Sequence, residues 1–348
     1  MGVPTYNSSM TNWQNIVGHK WAVDMLSNSI KHDRVGHAYL ITGASQVGKT
    51  TLARTFAQAL NCVDAEEKRP CGECRPCKLI ANNRHPDVQM LEPTLSGRGK
   101  LTLKIESIRD LQQNLNLSAY EARYKVAILK RFDSATIGAS NAFLKTLEEP
   151  PQNVVLILTA NDADTLLPTI SSRCRTINLR PLPLDLIEQS LSTRWQVGGE
   201  QAHLLAHLAD GRLGWAVQAA QNEAILQTRV DYLENLHAVL VGSRVKRFQL
   251  ADKWSRKAEN LPEMLQMWLS WWRDLNLLVQ QNGTQNQITL INIDDVVLLD
   301  ELAHQYNVDQ AVMSLKQTNL ALWQLERNAN TRLVIENLLL AYPIVHDA

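Results

Sequence analysis

Short apolar runs alternate with segments of helical periodicity through the first half of this chain. Residues 37–42, 88–91, 126–129, 154–158 and 176–179 are brief and mostly apolar, as strands buried on both faces of a parallel sheet are. Between them, 17–30, 49–60, 105–115 and 139–148 place apolar residues at helical spacing, as in Val17, Ala22, Met25, Leu26 and Ile30. Pro150 and Pro151 stop the last of these helices. Regular alternation of strand and helix predicts an α/β domain with a parallel sheet. Beyond a proline-bearing linker at 180–184 the pattern predicts helices only. Residues 185–222 read as a small helical domain broken by glycines at 211–214. The remainder reads as a second helical domain carrying Trp254, Trp268, Trp271, Trp272 and Trp323. The expected domains are 1–180, 181–222 and 223–348, with no internal repeat.

The first strand runs into Gly43-Ala44-Ser45-Gln46-Val47-Gly48-Lys49-Thr50 and a helix follows. Glycines at this spacing let successive backbone N–H groups wrap a phosphate, and the helix N-terminus beneath adds partial positive charge. Gly43, Gly48, Lys49, Thr50 and Thr51 are the expected nucleotide-binding residues. Lys49 would reach the terminal phosphates and Thr50 would ligate magnesium. A loop that keeps this shape without binding nucleotide is the alternative.

The strand 126–129 ends in Lys130-Arg131. A nucleotide hydrolase of this layout holds its magnesium with the loop Thr and a strand-end Asp. Lysine and arginine are donors only and repel a cation. The expectation is a scaffold with no ATPase activity of its own: ATP binding possible, magnesium-dependent hydrolysis doubtful. Lys130 and Arg131 could instead compensate phosphate charge. Asp133 comes a few residues later, on the following turn.

Cys62, Cys71, Cys74 and Cys77 fall in one short stretch, while Cys174 stands alone. Four thiolates with close C-x-x-C spacing suit a closed, tetrahedral, structural zinc site. An iron–sulfur cluster or a set of free thiols are the alternatives. His85 reads as a loop histidine and Cys174 as a packed thiol. Lysine plus arginine number 35, and so do aspartate plus glutamate, so no global basic field advertises nucleic acid. No apolar run reaches the roughly 18 residues of a membrane span, and residues 1–10 are polar, without a signal-peptide core. A cytoplasmic protein with no membrane partner is expected. Glu263, Arg273 and Asp274 interrupt the Trp- and Leu-rich run 265–279, which reads as a helix buried against other helices.

Taken together, Ile16-Val17-Gly18, His37-Ala38-Tyr39-Leu40, the glycine loop, the four-cysteine insert, the run Leu144-Lys145-Thr146-Leu147-Glu148-Glu149-Pro150-Pro151 and Ser171-Ser172-Arg173-Cys174 resemble the AAA+ clamp loader of bacterial DNA polymerase III. The resemblance covers about residues 12–180, and more loosely the helical remainder through Trp272-Arg273-Asp274-Leu275. It implies an AAA+ P-loop domain with a zinc-binding insert, a helical lid and a helical collar, in which exposed aromatics would serve subunit contact. Within the family the gamma/tau motor keeps its acids and hydrolyses ATP, whereas Lys130-Arg131 is similar to the delta-prime stator. Trp215 stands where the motor's lid carries a sensing arginine, with Arg212 close by. Thr159 and Asn161 fall where the family's first sensor sits. Arg173 matches the arginine finger, which would act on ATP held by a neighbouring motor subunit. Implied partners are gamma/tau and delta subunits in a hetero-oligomer, the sliding clamp, and primed DNA reached through the assembled ring. A self-hydrolysing motor subunit is the main rival. A stand-alone zinc-dependent nucleic-acid binder fits poorly with the neutral charge.

Overall fold

The computed structural model describes residues 12–95, 101–256, 258–281, 289–327 and 329–344; the polar segment 1–10 lies outside them. The chain divides into two compact units. One is built from the chain up to Val197 together with Gly211–Trp215, the other from Gly198–Asp210 and the chain from Ala216 onward.

The strands of the first unit are β1 (Ala38–Thr42), β2 (Val88–Leu91), β3 (Thr94–Leu95), β4 (Leu101–Thr102), β5 (Lys125–Leu129), β6 (Val154–Thr159) and β7 (Arg175–Asn178). Five form a parallel sheet in the order β2-β5-β6-β1-β7, while β3 and β4 make a separate antiparallel pair. Its helices are α1 (Lys20–Lys31), α2 (Lys49–Asn61), α3 (Arg75–Ala81), α4 (Ile105–Asn116), α5 (Ile137–Glu148), α6 (Pro168–Ser171) and α7 (Leu184–Arg194). Alternate strand residues feed two cores, because successive side chains in a strand point to opposite faces. Tyr39, Ile41, Val126, Ile128, Val155 and Ile157 pack with Leu26, Leu52, Phe56 and Leu60 of α1 and α2. Leu40, Ala127, Leu129, Leu156 and Leu158 pack with Ile108, Leu111, Phe143 and Leu147 of α4 and α5. Register sets Leu129 beside Leu158 and Ile41 beside Thr159. The chain therefore leaves β1, β5 and β6 along one edge, where ligands of open parallel sheets bind.

The α/β expectation holds, with local differences. Helix α1 starts at Lys20 rather than near Val17, because Gly18 (φ 66°) and His19 (φ 48°) are left-handed and break the helical pattern. The segment read as a linker is packed: Leu182 is buried and its N–H donates to Gly211 O at 3.0 Å. Helix α3 and the β3–β4 pair were not read from the pattern.

The second unit is helical throughout its described residues, with α8 (Gly199–Ala209), most of α9 (Leu213–Gln221), α10 (Glu223–Leu240), α11 (Arg244–Ser255), α12 (Leu261–Gln281), α13 (Val296–Ala303), α14 (Val308–Glu326) and α15 (Thr331–Ala341). Trp254, Trp268, Trp271 and Trp272 lie in its core, the last two edge-to-face at 5.1 Å. Trp268 Nε1 donates to Tyr232 O at 2.8 Å and Trp271 Nε1 to Asp295 Oδ2 at 2.6 Å, so both indoles are satisfied where they are buried. Of the five tryptophans expected here, Trp323 alone is mostly exposed, at 51%. The other four are core residues, not contact aromatics.

Candidate functional site

The glycine loop leaves β1 at Gly43, whose φ of 138° and close approach to Leu179 O (2.3 Å from a built Cβ) admit no side chain. Gln46 (φ 63°) and Gly48 (φ 110°) are also left-handed, and α2 starts at Lys49. Lys49 is buried and folded over the loop. Its Nζ donates to Gly43 O and, at 2.7 Å, to Ala44 O, with Asn161 Oδ1 at 3.4 Å. Burial pushes its ammonium down to about 8; Asp133 opposes that shift and Arg131 adds to it. Thr50 and Thr51 follow on the first turn of α2, both half-buried. The five expected loop residues thus come together as one cradle, whose N–H-rich concavity and lysine can accept phosphate.

Residues from outside the loop hold the cradle, Asn161 of the expected sensor position among them. His19 Nε2 lies 3.3 Å from Val47 O. Gly43 N donates to Asn161 O at 3.1 Å. Gly214 N donates to Gln46 O at 2.9 Å, and a Cβ on Gly214 would come within 2.7 Å of that oxygen. The glycine at 214 was legible only as a break; its use is close approach to the loop. The same segment carries Trp215, with the Arg212 guanidinium 6.0 Å from its ring centroid.

At the end of β5, Lys130 Nζ is paired with Glu92 Oε1 at 2.7 Å. Arg131 is left-handed (φ 48°), and its N–H donates to Thr159 Oγ1 at 3.0 Å. Asp133 sits on the next turn, as expected, yet its carboxylate faces back toward the cradle. Its Oδ2 accepts from Asn161 N at 3.3 Å, and its Oδ1 is shut from solvent without a partner. Thr159 and Asn161 are thereby tied to the β5 end and to the loop lysine respectively.

Arg173 follows α6 on the surface. Its guanidinium pairs with Glu148 Oε1 at 2.7 Å and donates to Thr169 O at 3.0 Å. Glu148, the last residue of α5 and part of the run 144–151, is the arginine's partner. Cys174 is packed, and burial raises its thiol to about 12, which keeps it protonated and inert.

The ligand atoms of Cys62, Cys71, Cys74 and Cys77 all lie within 4.8 Å of one another. Cys71 N donates to Cys62 Sγ at 3.4 Å and Cys74 N to Cys71 Sγ at 3.3 Å, helped by the left-handed turn at Gly72. Burial works to raise the Cys74 thiol, but N–H donors from Val63 and Cys77 and the neighbouring thiols bring it down to about 7. Burial raises Cys62 and Cys77. The Cys62–Cys74 sulfur separation is 3.9 Å. A tetrahedron of sulfurs about 2.3 Å from one metal ion has edges of about 3.8 Å. The set can hold a single metal ion. His85 is outside it: the ring is buried, with Nδ1 accepting from Asp87 N at 3.1 Å. Among the described residues no helix is long and apolar enough to cross a membrane.

A family model described as DNA polymerase III, delta subunit matches residues 18–183. The delta-prime subunit of Bacillus subtilis (strain 168) is 29% identical over 320 residues, spanning 91% of this chain and 93% of that protein. The delta-prime subunit of Pseudomonas aeruginosa is 30% identical over 240 residues, 68% of this chain and 70% of that protein. The tau/gamma subunit of Haemophilus influenzae is 37% identical over 178 residues, yet this chain spans only 25% of its length. Tau and gamma relatives span from about half to 81% of this chain but no more than 53% of the tau proteins' own lengths, whereas the Bacillus subtilis delta-prime subunit matches over 91% of this chain and 93% of its own length. On that extent of match, this chain with its glycine loop, basic strand end and four-sulfur centre belongs to the DNA polymerase III delta-prime family.

Proposed function

We propose that this chain is the stator-type subunit of a DNA polymerase III clamp loader and does not hydrolyse ATP itself. The observation that carries the reading is the pairing of an intact phosphate cradle with a strand end that offers Lys130 and Arg131 where magnesium needs a carboxylate. The chain works in a hetero-oligomer with gamma/tau and delta subunits that loads the sliding clamp, and it meets primed DNA through the assembled ring, by backbone phosphates rather than base edges. Three domains serve this role: 1–180, a lid at 181–222, and a collar at 223–348. Cys62, Cys71, Cys74 and Cys77 hold structural zinc, in keeping with the 3.9 Å sulfur separation. Gly43, Gly48, Lys49, Thr50 and Thr51 hold nucleotide.

Arg173 acts in trans. Its exposed guanidinium, steadied by Glu148, is offered to the terminal phosphate of ATP on the neighbouring motor. A planar, permanently charged fork suits the charge that develops on the transferring phosphoryl group. In a loader reconstituted with motor and delta subunits, Arg173→Ala should lower the ATPase rate on the order of 10³-fold while the complex still assembles. An unchanged rate removes the assignment. The tau/gamma likeness favours a second reading, a subunit that hydrolyses ATP on its own. Brisk phosphate release by the isolated chain with magnesium and primed DNA would select it.

A further inference from the structure

Arg131 and Lys130 leave the same strand but are used differently. Lys130 is engaged by Glu92. The Arg131 guanidinium is exposed and makes no hydrogen bond or ion pair within the described residues. Its backbone N–H is anchored on Thr159 at the end of β6. Two residues on, Asn161 touches both Gly43 N and Lys49 Nζ. Burial chiefly, and the Arg131 charge to a smaller extent, lower the pKa of the Lys49 ammonium, with Asp133 opposing. A free guanidinium at the end of β5 and a buried ammonium over the glycine loop therefore stand at the same edge of the sheet, beside a concave site whose other donors are backbone N–H groups. The acid that balances them is Asp133, and one of its oxygens already accepts the Asn161 N–H.

Resting on the nucleotide reading above, we propose that the cradle binds its nucleoside triphosphate as the magnesium-free anion, with the Arg131 guanidinium standing in for the divalent cation. Exchanging a strand-end carboxylate for a guanidinium changes the local charge by two unit charges, as much as the ion that carboxylate would have held. Arginine also offers a fork of donors that matches two phosphate oxygens at once. Neutralisation then comes from a fixed side chain and no metal-bound water is oriented for attack. Such a site retains nucleotide without turning it over.

The experiment titrates the intact chain with ATP and a fluorescent ATP analogue, in excess EDTA and in excess magnesium. The two affinities should agree to within about threefold. Asparagine and aspartate both tolerate the left-handed backbone at this position. Arg131→Asn should weaken binding in EDTA about tenfold or more, as loss of a charge-assisted pair does. Arg131→Asp should make binding depend on magnesium. A tenfold or greater loss of wild-type affinity on chelation overturns the inference and leaves the nucleotide reading standing; Asp133→Asn would then test whether that carboxylate holds the ion. No binding in either medium, by a chain whose circular dichroism shows it folded, overturns both.

Discussion

Asp274 has no exposed side-chain surface, yet it sits mid-helix in the tryptophan-rich α12. One oxygen accepts from Ile291 N at 2.8 Å, Asn292 N at 2.7 Å and Asn292 Nδ2 at 2.7 Å. The other accepts from Arg273 Nη1 at 2.7 Å. As a sequence, Arg273-Asp274 reads as a polar interruption that argues against a membrane surface. It does argue that, but the carboxylate also ties Ile291 and Asn292 to α12. Arg273 is itself exposed, but removing the buried carboxylate leaves the Ile291 and Asn292 N–H groups and the Asn292 amide without their acceptor. Asp274→Ala should therefore cost about 2–4 kcal/mol in denaturant unfolding, and Asp274→Asn less, since the amide keeps an acceptor. A loss under about 1 kcal/mol would mean that water replaces the carboxylate.

The elements were legible in proportion to how apolar they are. The central strands β1, β5 and β6 are buried almost throughout, so their apolar runs locate them to within a residue or so, while the edge strands β2 and β7 are half-buried or largely exposed and show a weaker apolar run. Helix α3 escaped notice because Arg75, Pro76 and Lys78 leave it with little periodicity; it buries Cys77, Ile80 and Ala81 and little else. The strands β3 and β4 have two residues each, too few for a period to show. The cradle was legible because its chemistry needs glycines at fixed places. How His19, Asn161 and Gly214 support it was not, because each reaches the loop from a distant segment, through a ring nitrogen, a side-chain and backbone oxygen, and a backbone N–H, and no local pattern encodes those contacts. A seven-residue helix is far below the length that is stable alone. The four sulfurs must supply what periodicity does not. One zinc per chain is expected by elemental analysis. Its removal by chelator, or Cys74→Ser, should abolish amide-exchange protection across 62–81 while the strands β1, β5 and β6 stay protected. Unchanged protection in α3 would make the metal incidental to the insert.

Over the whole molecule, 35 basic and 35 acidic side chains leave no net charge to steer the chain to DNA, so specific groups have to do what a general field does not. The Arg173–Glu148 pair is one such device. Both side chains are partly exposed, at 37% and 50%, where an ion pair adds little to stability. Its value lies in orientation: with Thr169 O it limits the rotamers of a long side chain which, in the proposed role, reaches a phosphate on another subunit. Glu148 is then a positioning residue, and its loss should be felt in turnover rather than in assembly. In the reconstituted loader, Glu148→Ala should lower kcat roughly 10-fold to 100-fold, less than Arg173→Ala, with KM for ATP little changed. Glu148→Gln retains an acceptor for the guanidinium and should recover part of that loss. Size-exclusion profiles of the three complexes should coincide with wild type. If Glu148→Ala turned over at the wild-type rate while Arg173→Ala did not, the arginine would be finding its target without guidance from its own chain.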